Sequence, residues 1–417
     1  MRNRAKRFLS LLLSALVVLS AAAPQLPVSV RAAASGAETE MFRMDPSVLH
    51  VKKLGEETGA PQEEEPVLNL KPTDRVRVSI FLEAPGAADA GYSTQGIGTN
   101  KEAISYRAAL RKQQDAVQAK IESVLGHTLD VKWNLTLLTN AISAEMTYAE
   151  TLKIAAVAGV KSVELETLYE APVDMGTEPQ TANTSGEMTG ASAAWVGGYT
   201  GAGSRIAIID TGIDIDHQSF DASAFSYSIS QLSALTGKSY TLMTSADVTA
   251  VKGSLNGQGV YKNAKIPFAY NYVDESTSIL GHDNSSDKQG NHGSHVAGIA
   301  AANRYIKSGS SYVDAAANYN AVGMAPDAQL ILMKVFGVAG GAYDSDYMAA
   351  IEDAIVLDCD AANLSLGSSN PGYTYSSTTY QAILNKLADP NQNEGMVVSI
   401  SAGNNASMAD NLGRDLY

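Results

Sequence analysis

Apolar and polar positions change period several times along the chain, and each change marks an element. Residues Val76 to Leu82 alternate like a half-buried strand, whereas Ile104 to Leu125 places Ala108, Val117, Ile121, Val124 and Leu125 at helical spacing. Strands are expected at Val131 to Leu138 and Ala141 to Met146, turning at Thr139-Asn140, then a helix from Tyr148 to Ala158 and a strand from Val160 to Leu165. Beyond a short helix at Ala191 to Tyr199 the period changes. Ile206 to Ile209, Gln329 to Val335, Ala361 to Gly367 and Met396 to Ser401 are nearly continuous apolar runs, the pattern of strands buried on both faces. Between the first two runs a helix opens at His292, and between the second and third Met348, Ile351, Ala354 and Ile355 line one helix face behind a cap at Asp344 or Ser345. Residues 218–287 read as polar and irregular, apart from a strand-like Ile266 to Val273.

Two folding units follow. The order β-α-β-β-α-β over residues 75–170 is that of a ferredoxin-like α+β module with its own core. The βαβ succession over residues 191–417 implies an α/β domain with a doubly wound, mostly parallel sheet. Residues 35–74, rich in Glu, Pro and Gly, read as a linker, and residues 171–190 as a second one.

The amino terminus adds an address. Arg2, Arg4, Lys6 and Arg7 precede the apolar run Phe8 to Leu19, and alanine triplets at 21–23 and 32–34 offer cleavage sites. Residues 1–34 therefore read as a secretory signal, with an apolar run shorter than the roughly twenty residues of a membrane span. Composition is globular, with 45% hydrophobic and 18% charged residues in a chain of 417. A formal charge of -14 argues against nucleic acid as a partner, which would need clustered Lys and Arg. Cys359 is the single cysteine, so no intrachain disulfide forms, and its setting among Ile355, Val356 and Leu357 is that of an inert buried thiol.

Chemistry concentrates in Gly290-Asn291-His292-Gly293-Ser294-His295-Val296-Ala297-Gly298. Small residues let this helix lie close against a sheet, with His292 at its exposed start, where the helix dipole favours a neutral, proton-accepting imidazole. Asp210 closes the buried strand Ile206 to Ile209, at the sheet edge where ligand sites collect. It can accept the Nδ1 proton of His292 and fix the tautomer. Asp210-Thr211-Gly212 also matches the aspartic-peptidase signature, but that chemistry needs a second carboxylate and no second such segment occurs. His217, His282, Asp283 and His295 do not form a zinc-binding pattern with His292. Asp214, Asp216, Asp221, Asp283 and Asp287 are candidate calcium ligands, although a solvated acidic surface explains them equally, and the metal content stays undetermined.

Taken with Ile206 to Asp214 and Ser399-Ile400-Ser401-Ala402-Gly403-Asn404, the histidine segment resembles the subtilisin-like serine peptidases, the subtilases. Ser294 stands where their motif usually has threonine. The resemblance runs from about residue 75 to residue 417, and its wording is nearest to the cell-envelope peptidases of Gram-positive bacteria. It implies a serine endopeptidase precursor, secreted or held at a bacterial cell envelope, acting on proteins or peptides and needing no cofactor for its chemistry, with structural calcium an open question. By the same resemblance the module at 75–170 is a propeptide, both folding chaperone and intramolecular inhibitor, released by a cut within Glu170 to Thr189.

The resemblance also implies site roles. Asp210 and His292 are catalytic, and Asn404 supplies the oxyanion-hole amide. Gly340 and Gly341 let a substrate backbone approach an unpaired edge, while Ser365, Leu366 and Gly367 form one wall of the specificity pocket and Ser401, Ala402 and Gly403 the other. The family's nucleophile sits in a later Gly-Thr-Ser-Met-like segment, and none occurs here. The sequence is therefore expected to be a fragment, an incomplete subtilisin-type sheet without its serine and inactive by itself, any wall anchor lying in the missing part. The alternative is a complete, non-catalytic peptide-binding or inhibitor protein that uses the 75–170 module.

Overall fold

The structure is a computed structural model that describes residues 70–169, 186–281, 289–319, 321–337, 341–366, 379–388 and 395–401. The expected signal, both linkers except for residues 70–74 and 186–190, and Asn404 lie outside the described residues.

The first unit is built of β1 (Arg75–Leu82), α1 (Lys101–Leu125), β2 (Asp130–Leu135), β3 (Ala141–Thr147), α2 (Tyr148–Ile154) and β4 (Val160–Leu165). All neighbours are antiparallel, in the order β2-β3-β1-β4, which is the split arrangement that the strand and helix succession predicts. The helix α1 starts three residues earlier than its apolar period because Asn100 caps it, its side chain accepting the amides of Glu102 and Ala103 at 3.0 Å. Alternation divides β1 between two layers. Val78, Ile80 and Leu82 meet Val117 and Ile121 of α1, while Phe81 faces the rest of the molecule.

The second unit comprises α3 (Ala191–Val196), β6 (Arg205–Asp210), α4 (Ala222–Thr236), α5 (Ser245–Val251), β7 (Phe268–Asn271) and α6 (His292–Ala301). It continues with a hairpin of β8 (Tyr305–Ser308) and β9 (Ser311–Asp314), then α7 (Ala315–Tyr319), β10 (Gln329–Lys334), β11 (Ala342–Tyr343), α8 (Asp344–Val356), β12 (Ala361–Leu364), α9 (Thr379–Ala388) and β13 (Val397–Ile400). Between the two units lies the short β5 (Leu168–Tyr169). Five strands form a wholly parallel sheet in the order β13-β12-β6-β10-β7. The continuous apolar run in β6 has its expected cause. Ala207 and Ile209 belong to the cluster around α8, and Ile208 to the one around α6, so both faces are covered.

Residues 218–287 differ from expectation. The serine-rich stretch over α4 looks polar, yet Ala224, Phe225, Ser228 and Leu232 fall on one face and are buried, and Asp221 caps the helix through the Ala224 amide at 2.7 Å. A capping box between Thr244 and Asp247 starts α5. The helix α8 is buried along all thirteen residues, because the parallel sheet packs on one side and the ferredoxin-like module on the other.

Candidate active site

Two elements meet at the carboxyl edge of the parallel sheet. Asp210 is the last residue of β6 and 1% exposed, and His292 is the first residue of α6. They come together because Gly293 has no side chain. A Cβ there would lie 2.2 Å from the Gly212 carbonyl oxygen and 3.1 Å from Asp210 Oδ1. Thr211 Oγ1 accepts the Gly293 amide at 3.1 Å and pins the helix start to the strand end. Ser294 Oγ accepts the Asp214 amide at 2.9 Å, so the serine retains a hydroxyl that holds the turn after β6.

The resulting contact is His292 Nδ1 to Asp210 Oδ1 at 2.8 Å. A carboxylate only accepts, so Nδ1–H donates, and the lone pair is left on Nε2. Asp210 Oδ1 also accepts the Thr211 amide at 2.7 Å, while its buried Oδ2 takes no hydrogen bond. Among the described residues, the imidazole is the one side chain hydrogen-bonded to this carboxylate, an arrangement that stabilises a cationic ring. A buried lysine lies behind it. Lys334, aligned with Asp210 in the β10–β6 register, donates to the Thr211 carbonyl and, at 2.6 Å, to Gln289 Oε1. Gln289 in turn donates to the Gly337 carbonyl at 2.8 Å. Neither residue was singled out by sequence reasoning, yet a lysine inside an apolar strand is a visible signal for a buried ionic role.

The expected walls are partly in view. Ser365 and Leu366 follow β12 as irregular chain, because the strand ends at Leu364 rather than Gly367. Ser401 donates its amide to the Leu364 carbonyl at 3.1 Å and its hydroxyl to the Leu366 carbonyl at 3.2 Å, so the exits of β12 and β13 are tied together. Gly340, Gly367, Ala402, Gly403 and Asn404 lie outside the described residues. Gly341 has a left-handed φ of 76°, and a Cβ on it would meet Leu168 Cδ1 at 2.7 Å. Here β5 pairs antiparallel with β11, Tyr169 opposite Ala342 and Leu168 opposite Tyr343. The edge expected to receive a substrate is held by the segment that follows β4.

Among the described residues no cluster of three His, Cys, Asp or Glu side chains could hold a metal ion. His217 caps a turn by accepting the Ser219 amide at 3.3 Å, His295 is exposed, and Asp221 serves as the α4 cap. His282, Asp283 and Asp287 lie outside the described residues. The Cys359 thiol is buried, and burial pushes its pKa far up, which makes it unreactive. Asp210 is paired with an imidazole rather than a second carboxylate, contrary to the aspartic-peptidase pattern.

The parallel sheet thus carries an acid at a strand tip hydrogen-bonded to a histidine at a helix start. The sequence profile of the Subtilase family matches residues 201–414, and the chain belongs to that family. It is 28% identical to the PI-type proteinase of Lactococcus lactis subsp. cremoris over 349 residues, 82% of this chain and 16% of that protein. It is 30% identical to the minor extracellular protease Vpr of Bacillus subtilis (strain 168) over 220 residues, 52% of this chain and 19% of that protein. Among solved structures, the epidermin leader peptide processing serine protease (EpiP) from Staphylococcus aureus matches 79% of this chain and 60% of its own, with 15% identity and a TM-score of 0.41. The chain thus spans about a sixth of the length of the lactococcal relative. Among the described residues no helix is long and apolar enough to cross a membrane.

Proposed function

We propose that the chain is the precursor region of an exported subtilase that hydrolyses peptide bonds in proteins. The observation that carries this reading is the Asp210–His292 contact of 2.8 Å at the carboxyl edge of the parallel sheet. In this reading His292 Nε2 takes the proton of a serine nucleophile, and Asp210 orients the ring and stabilises the imidazolium that forms. Asn404 donates its amide to the oxyanion, an interaction worth about 10²- to 10³-fold in kcat, a magnitude carried over from another member of the family. The chemistry requires no cofactor, and any calcium would be structural. No Gly-Thr-Ser segment occurs in the sequence. The serine is therefore assigned to chain outside these 417 residues, in keeping with the small share of the lactococcal relative that is spanned.

The module at 75–170 is read as an inhibitory propeptide, supported by its last strand, β5, lying on the edge at Ala342–Tyr343. Residues 1–34 are read as the export signal and 170–189 as the segment cut on maturation. Secretion or cell-envelope attachment in a bacterium follows from the signal and fits the Bacillus relative's printed description as extracellular.

Two measurements test this. A fluorophosphonate probe applied to residues 1–417 should label no serine, and labelling would overturn the placement of the nucleophile. In a form that carries the nucleophile, Asp210→Asn should lower kcat about 10⁴-fold on casein-derived peptides. Retained activity would sink the role given to Asp210.

A further inference from the structure

The strand β5 does more than cover an edge. Its two side chains have opposite fates, as extended backbone requires. Leu168 stays 50% exposed, and Tyr169 is fully buried. The Tyr169 ring stands edge-on to Tyr347, centroids 5.5 Å apart at 84°, in the apolar cluster that also holds Ala342, Met348 and Leu366. Its hydroxyl does not end among apolar atoms. It donates to Asp344 Oδ1 at 3.0 Å, beside the Tyr347 hydroxyl at 2.8 Å on the same oxygen. Asp344 Oδ2 accepts the Thr167 backbone amide at 2.7 Å. One 6%-exposed carboxylate therefore grips an extended peptide twice, by a main-chain amide and by a phenol two residues later.

Main-chain pairing with Ala342 and Tyr343 accepts any sequence, so selectivity must come from the recess that takes the alternate side chain. We propose that Asp344 is a specificity-determining residue: the recess filled by Tyr169 selects a tyrosine in peptides that pair with the edge Ala342–Tyr343, its carboxylate reading the phenol hydroxyl. The inference rests on the peptidase reading in taking substrates to lie along the same edge. A phenylalanine would keep the ring contact but leave the buried Asp344 Oδ1 short of one donor, and a site built to bond a hydroxyl discriminates against the analogue lacking it. Loss of one charge-assisted hydrogen bond corresponds to roughly 10- to 100-fold.

The test has two arms. In the full chain, hydrogen-exchange protection of the 168–169 and 342–343 amides is measured for wild type, Tyr169→Phe, Asp344→Asn and the double variant. Tyr169→Phe should lower protection about 10-fold in wild type and less than 2-fold in the Asp344→Asn background. Equal effects in both backgrounds would overturn the proposal, and unchanged protection of the β1–β3 pair controls for misfolding. In a form that carries the nucleophile, peptides with Tyr at this position should exceed their Phe counterparts in kcat/KM by roughly 10- to 100-fold, the ratio falling to near one in Asp344→Asn. A wild-type ratio near one also overturns it. Complete absence of hydrolysis would refute the peptidase reading alone, and the exchange cycle would then decide the role of Asp344.

Discussion

Gly293 sets the distance on which the site depends. An alanine there would drive its Cβ into the Gly212 carbonyl, 2.2 Å away, and against Asp210 Oδ1 at 3.1 Å, the first being backbone and the second held by the Thr211 amide and the His292 ring. Gly293→Ala should therefore cost about 2–3 kcal/mol of stability in urea unfolding and abolish the downfield Nδ1 proton signal of His292. Ser294→Ala, which deletes only the acceptor for the Asp214 amide at 2.9 Å, should cost about 1 kcal/mol and leave that signal in place. A Gly293→Ala protein with both stability and signal intact would refute the argument. At this scale the sequence is most readable. An acid at the end of an apolar run and a histidine ahead of small residues announce a strand tip and a helix mouth, but not the distance between them. Lys334 could be noticed as a lysine inside an apolar strand, but its partners could not, because the alignment with Asp210 comes from the β10–β6 register and the contact with Gln289 from a loop that no local pattern encodes.

At the scale of elements, α8 carries the most. Its apolar face was legible from Met348, Ile351, Ala354 and Ile355, but its opposite face is buried too, and there it presents acids to the module. Glu352 accepts the amides of Leu137 and Leu138 at 2.9 and 2.8 Å, with the Asn256 side chain at 3.2 Å. Asp346 accepts Arg77 Nη1 at 2.9 Å and Trp133 Nε1 at 2.8 Å. The sequence marks only the apolar face and the cap, and leaves the burial of Asp346, Glu352 and Asp353 unannounced. Asp346 and Glu352 are covered because β1, β2 and the turn after β2 bring donors to them, whereas Asp344 is met by Thr167, Tyr169 and Tyr347, and Asp353 by the amides of Asn256 and Gly257 and the Tyr272 hydroxyl. Glu352→Ala should strip the acceptor from several buried amides at once and cost about 3–5 kcal/mol in urea unfolding, with Glu352→Gln losing less. A loss under about 1 kcal/mol would show that the module does not depend on this carboxylate. The helix α4 makes the converse point, since its serine-rich sequence hid a buried face that appears once Phe225 and Leu232 are placed on one side.

For the whole molecule, the join between the two units is expected to depend on pH through Glu166. Glu166, two residues before β5, keeps part of its surface in solvent, but its carboxylate is enclosed by the hydroxyls of Ser79 and Ser143, both at 2.7 Å, and of Ser345 at 2.8 Å. Burial pushes it from 4.5 to about 7, with the Asp344 charge adding in the same direction and the three serine hydroxyls opposing. Arg77 on β1, Tyr343, and Tyr380 on α9 also sense its charge. Asp344 and Asp346 on α8 are raised as well, by burial first. A carboxyl whose pKa is higher in the docked state takes up a proton on docking. Its contribution is therefore complete below about 4.5 and is lost as pH rises through about 7. Protection factors of the 168–169 amides should accordingly fall roughly 10- to 100-fold between pH 5 and pH 8.5. Glu166→Gln, neutral at every pH, should flatten most of that fall. A wild-type profile that stays level, or a Glu166→Gln profile that falls as steeply, would assign the join's strength to the α8 carboxylates and the apolar contacts of Phe81 and Trp133 instead. The direction matters for the proposed precursor: a join held this way tightens in acid and loosens toward neutral and alkaline pH.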